Sequence, residues 1–223
     1  MNTRQRFGLA AALVVLTALV SVLAAPDLPE QMVTHWNAAG EPDETMPKAT
    51  ALALVPVLSA FLLGLFAVLP RIDPLRENIV EFRPHYDWFV VVFTAFMAIL
   101  HAGILAFNLG YEFDFLVLIV GGLALLFFYV GVLLEHAERN WFVGIQTPWT
   151  LSSTEVWDRT HALGSRLFKL AALASALSLL FGEYALYVVL IVILAVAAIT
   201  VAYSYYLYER IEHDEDSNLE VEP

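Results

Sequence analysis

The sequence predicts an all-α integral membrane protein with six transmembrane helices, both termini cytoplasmic, and one short amphipathic interfacial helix before span five. Three observations carry this. Of 223 residues, 60% are hydrophobic and only 15% charged, a balance foreign to ordinary soluble domains. The apolar residues gather in runs of about twenty, the length that crosses roughly 30 Å of hydrocarbon. The basic residues are shared very unequally between the connecting segments, which sets orientation.

Arg4 and Arg6 precede an uncharged run from Phe7 to Ala25. It is longer than a signal-peptide core, and Pro26 hinders cleavage after Ala25, so it reads as an uncleaved first span. Further runs cover Thr50–Leu69, Tyr86–Leu109, Phe115–Leu134, Gly164–Phe181 and Tyr184–Leu207. Residues 1–208 are thus expected to form a single membrane domain. With the N-terminus inside, Arg4, Arg6, Arg71, Arg76, Arg83, Arg139, Arg159, Arg166, Lys169 and Arg210 lie on the inner side, and Lys48 alone lies outside. That split predicts a multi-pass protein of the plasma membrane. The net charge of −12 concentrates in an acidic tail, 209–223, which repels nucleic acid and excludes it as a partner. Cysteine is absent, so disulfides and thiolate metal sites are excluded.

Between spans four and five lies Asn140–His161, NWFVGIQTPWTLSSTEVWDRTH. Three tryptophans, Trp141, Trp149 and Trp157, stand here among turn formers and hydroxyls, a mixture suited to the membrane–water interface. Ser152 and Glu155 have capping-box spacing, so a helix is expected from about Ser153. Pro148 holds Thr147 extended. Glu155 and Arg159 are placed to pair. One reading is a surface helix feeding the next span. The other is a docking surface or lid, with Asn140, Gly144, Thr147, Pro148, Trp149, Trp157, Thr160 and His161 as its partner-binding residues.

The loop from Leu28 to Lys48 is the second candidate. His35, Trp36, Asn37, Gly40, Asp43 and Lys48 are its binding residues, with Glu44 beside them. One histidine and irregular spacing are too little for a zinc or calcium site, so no metal is expected. Prolines 29, 42 and 47 instead predict a compact cap, anchored by Trp36. Within span three, Asp87, Thr94, His101 and Asn108 recur every seven residues, nearly two helical turns, and form one stripe. Such a stripe avoids lipid. It is either a structural contact centred on a hydrogen-bonded His101 or a polar pathway opening near the 26–48 loop. HExxH, GxSxG and phosphate-loop motifs are all missing, and no cofactor or enzymatic activity is expected.

The run NWFVGIQTPWTLSSTEVW followed by THALG resembles the signature of the SdpI family of bacterial and archaeal membrane proteins. LPEQMVTHWNAAGEPDETMPK, from Leu28 to Lys48, is similar to the extracytoplasmic module that often precedes it. The family's founding member confers immunity to a secreted toxic peptide and takes part in signalling. Where the family usually has a basic residue this chain has Gln146, which leaves a charge-dependent role there unsupported. The resemblance implies a non-enzymatic immunity or sensing protein in contact with membrane lipid. It would meet a secreted peptide toxin outside and relay occupancy to a cytoplasmic repressor or regulator through Asn140–His161. The residues alone also permit a small transporter or channel-like protein using a pathway around His101, although internal repeats and broken helix pairs are missing.

Overall fold

The computed structural model describes residues 1–219, with side chains described as far as Ile211. Helix α1, Thr3–Ala24, opens on a reciprocal cap in which Asn2 Oδ1 accepts from Gln5 N and Gln5 Oε1 accepts from Asn2 N. Two strands follow, β1 (Gln31–Trp36) and β2 (Pro42–Pro47), paired antiparallel. The remaining helices are α2 (Lys48–Ile72), α3 (Arg76–Glu81), α4 (Arg83–Asn108), α5 (Phe115–His136), α6 (Pro148–Ser152), α7 (Thr154–Ser178) and α8 (Ala185–Leu219). The acidic tail expected at 209–223 continues α8 as far as Leu219, and 220–223 lie outside the described residues.

Five helical stretches are long and apolar enough to cross a membrane, which makes this a multi-pass membrane protein. The last, Thr154–Ile211, is 58 residues long. A 3₁₀ segment over Leu179–Tyr184 interrupts it, with Gly182 at φ 56°, a left-handed value that glycine adopts at no steric cost. The two arms, α7 and α8, fold back and pack on one another.

The mostly helical fold agrees with the all-α expectation, to which it adds one short two-stranded hairpin. The compact cap expected of the loop 26–48 takes the form of a β-hairpin, turned by Asn37, whose Oδ1 accepts from Ala39 N and Glu41 N, and by Gly40 at φ 83°. It sits on the C-terminal end of α4 and the start of α5. Trp36 is buried and stacks on Phe115 at 3.7 Å, with Phe107 edge-on at 5.2 Å. Trp36 therefore anchors the hairpin to protein rather than to the lipid interface.

The helices divide into two packed sets, α1 with α2 and α4, and α5 with α7 and α8, joined along α4 and α5. Helices α5 and α7 pack closely. A side chain at Gly131 would stand 2.9 Å from the Ser165 carbonyl oxygen, so only hydrogen fits there. One core cluster, with Ile79, Phe82, Tyr86, Val90, Leu133 and Trp157 at its centre, straddles both sets at the end opposite the hairpin.

On the α4 stripe Asp87, Thr94 and His101 are buried and Asn108, at the hairpin end, is half-buried. Asp87 pairs with Arg83 at 2.6 Å and lies 3.7 Å from Arg6. Thr94 donates to its own helix at Val90 O. His101 Nε2 and Ser21 Oγ of α1 are 2.6 Å apart. Asn108 meets the hairpin, accepting from Val33 N at 2.8 Å and donating to Val33 O at 2.9 Å. A polar group in hydrocarbon needs an internal partner, and each member of this stripe has one.

Candidate functional site

The segment 137–161 folds around its buried side chains. Asn140 is fully buried. Its Oδ1 accepts from Phe142 N and Val143 N, and its amide donates to Glu138 O and Val143 O. One side chain thereby satisfies four backbone groups of a tight loop, which only an amide with both donors and acceptors can do. Gly144 follows at φ 131°, beyond the reach of ordinary side chains.

Two rings of α7 support the loop from beneath. Trp157 is fully buried, donates from Nε1 to Ala137 O at 2.7 Å, and stacks on His161 with ring centroids 3.8 Å apart. His161 Nε2 accepts from Ile145 N at 3.0 Å, so its Nδ1 carries the proton and donates to Trp157 O at 2.8 Å. The two bonds fix a single neutral tautomer.

Thr147 is extended, at φ −121° and ψ 161°, and caps α6 through a Thr147–Thr150 box. Its hydroxyl also reaches Ser204 of α8 at 3.1 Å. Ser152 ends α6, its hydroxyl donating to Trp149 O, so the cap of α7 is Ser153, accepting from Val156 N. That corrects the expected Ser152–Glu155 box by one residue: Ser152 is already spent in the preceding turn. Glu155 and Arg159 pair at 2.5 Å on the exposed side.

As a contact surface the expected partner-binding set divides. Gly144 and Pro148 are exposed and Trp149 is half-buried against Tyr205. Asn140, Thr147, Trp157, Thr160 and His161 are buried. Asn140, Thr147, Trp157 and His161 hold the loop through internal hydrogen bonds, and Thr160 lies buried on α7, so none of the five contributes to the surface of this structure. The aromatic surface is Trp141, 51% exposed, with Phe142 beside it, whereas the expected partner-binding set included Trp157 and not Trp141.

Several residues that hold the loop were not singled out from the sequence. Asp73 Oδ2 accepts from Trp141 N at 2.9 Å, Asn78 donates to Arg139 O at 2.7 Å, and Arg139 donates to Leu151 O at 2.9 Å. The Asp-Pro pair at 73–74 is a turn signal that marks Asp73 as structured, though not its distant partner.

Two cavities adjoin the segment. An apolar one of about 320 Å³ lies between the helix sets, with Phe66, Tyr86, Phe89 and Phe168 as walls and Phe142–Ile145 closing it. A charged cleft of about 310 Å³ carries Glu135, Glu138, Asp158, Arg166 and Lys169. There Lys169 pairs with Glu135. No group of three or more His, Asp or Glu among the described residues is arranged to hold a metal ion.

In the hairpin, His35 Nδ1 and Asp43 Oδ1 are 2.6 Å apart on the exposed surface, Asn37 and Gly40 form the turn, and Lys48 pairs with Glu30 at 2.9 Å. The hydrogen bond and negative charge of Asp43 raise the His35 pKa above 6.5. This contact is therefore complete below pH 6.5 and is lost as pH rises through the raised value. An NMR titration is expected to find His35 above 6.5, and Asp43→Asn to bring it back down.

Comparison with known proteins follows this division of the chain. The SdpI/YfhL protein family model matches residues 136–204, and a domain of unknown function, DUF1648, matches residues 12–60. The chain is 23% identical over 200 residues to the immunity protein SdpI of Bacillus subtilis (strain 168), covering 89% of this chain and 94% of that protein. No solved structure matches. The resemblance read from Asn140–His161 is thereby shown, and the chain carries an SdpI-type segment behind a DUF1648 module.

Proposed function

We propose that this SdpI-type chain is a non-enzymatic immunity protein of the plasma membrane, with six spans and both termini cytoplasmic. The observation that carries the reading is similarity to an immunity protein along almost the whole of both chains. The geometry supports it. The hairpin and the 137–161 loop stand at opposite ends of the helices, and ten of the eleven basic residues fall on the loop's side, which the positive-inside rule makes cytoplasmic. The turn at Gly182 supports a sixth span, since it divides one 58-residue stretch into two helical arms that pack on one another. The hairpin then faces a secreted toxic peptide. The loop presents Trp141 and Phe142 to a cytoplasmic regulator.

Two measurements test this. Expression of this chain in Bacillus subtilis cells lacking SdpI is expected to restore survival in toxin-containing culture fluid. Unchanged killing of cells with normally inserted protein would sink the proposal. For orientation, the absence of native cysteine allows clean labelling of single cysteines at the exposed positions Glu44 and Asp158. An impermeant maleimide is expected to reach only the first from outside intact cells. Labelling of both would refute the topology.

A further inference from the structure

The two edges of the hairpin differ. Lys48 N donates to Glu30 O, so antiparallel alternation makes Met32/Met46 a hydrogen-bonded pair and Val33/Thr45 a wide pair. The backbone groups of Val33 thus turn away from β2, and the Asn108 side chain takes both of them. A single amide completes that edge as a third strand would. Across the pair, the N–H and C=O of Thr45 turn the other way, along an edge on which Pro42 to Thr45 are all exposed. An open edge of this kind is a template for another extended chain. Pro42 and Pro47 lack an N–H and bound the usable stretch to Asp43–Met46.

The charge on this edge selects the occupant. Glu41, Asp43 and Glu44 are exposed along it. Of the basic side chains nearby, Lys48 is held by Glu30 and by the Ala25 carbonyl, and His35 is held by Asp43, which leaves the edge net negative. A second copy of this chain would bring a like-charged edge and be repelled. We infer that the outer edge of β2 binds an extended, cationic peptide segment by strand addition, with main-chain bonds at Thr45 and charge pairing at Asp43 and Glu44. This rests on the proposed function for the side the hairpin faces and for the peptide's presence there.

The test uses the full chain in nanodiscs of zwitterionic lipid and a capped nine-residue peptide of alternating lysine and valine. A second peptide of the same sequence is N-methylated on alternate residues, so that one edge loses its donors while the charge is kept. The unmodified peptide is expected to bind at least tenfold more tightly and to shift the Thr45 amide resonance. D43N/E44Q is expected to weaken both peptides severalfold. Thr45→Pro is expected to reduce the unmodified peptide to the level of the methylated one. Equal affinity for the two peptides, or no saturable binding, overturns the assignment, and neither result depends on a variant folding. The survival assay is scored separately. Survival of cells carrying Thr45→Pro at the wild-type level removes the edge and leaves the immunity reading standing. Failure of the wild-type chain to protect removes that reading, while the peptide measurements still decide the edge.

Discussion

Gly144→Ala is expected to collapse the 137–161 loop. A methyl group there would overlap His161 Nε2 and lie 3.1 Å from the Trp157 ring. The backbone sits at φ 131°, where alanine is strained in any surroundings. Neither ring has room to yield, because Trp157 is held by Ala137 O and His161 by Ile145 N and Trp157 O. Backbone strain and overpacking together should cost roughly 3 kcal/mol or more. For a chain of this size that corresponds to a fall of about 6–12 °C in melting temperature. Thermal unfolding of the detergent-solubilised variant measures it. A melting temperature within 2 °C or so of wild type would mean that the loop does not rest on α7 as described.

The second large effect is expected at Trp157. Truncation to alanine empties the centre of the core cluster and orphans the Ala137 carbonyl, at about 3–5 kcal/mol. Trp157→Phe keeps most of the ring and drops the indole donor, at about 1–3 kcal/mol. Trp141→Ala, at a half-exposed ring, should leave stability within about 0.5 kcal/mol. If it weakens signalling in cells while protection and abundance hold, Trp141 is the partner contact. The order Trp157→Ala, Trp157→Phe, Trp141→Ala in loss of stability is the checkable outcome, and parity between the first and last would contradict the burial pattern.

The helical stretches were legible because hydrocarbon imposes a length and a composition that no local detail can hide. The hairpin was not. QMVTHW is short, and a bulge between Val33 and His35 breaks its register, so alternation is faint. What makes it a strand is Asn108, 75 residues away. The loop of 137–161 was recognisable as structured, but which tryptophan it buries was not. An aromatic ring suits an interface and a core equally, and the choice turns on Asp73 and Asn78 from another part of the chain. The cap of α7 was misplaced by one residue because Ser152 and Ser153 are equivalent in composition, and only the end of α6 separates them.

Helix α4 is pinned at both ends, by Asp87 with Arg83 and Arg6 and by Asn108 with the hairpin. Asp87 and Asn108 are 21 residues apart (108 − 87), about 31 Å along the axis, which equals the hydrocarbon thickness of an ordinary bilayer. A helix cannot stretch. In a thicker membrane the lipid must compress around this protein, or one set of pins is drawn into hydrocarbon. In a thinner one α4 tilts, and the hairpin fixed to it tips by the same angle, so bilayer thickness sets the attitude of the hairpin.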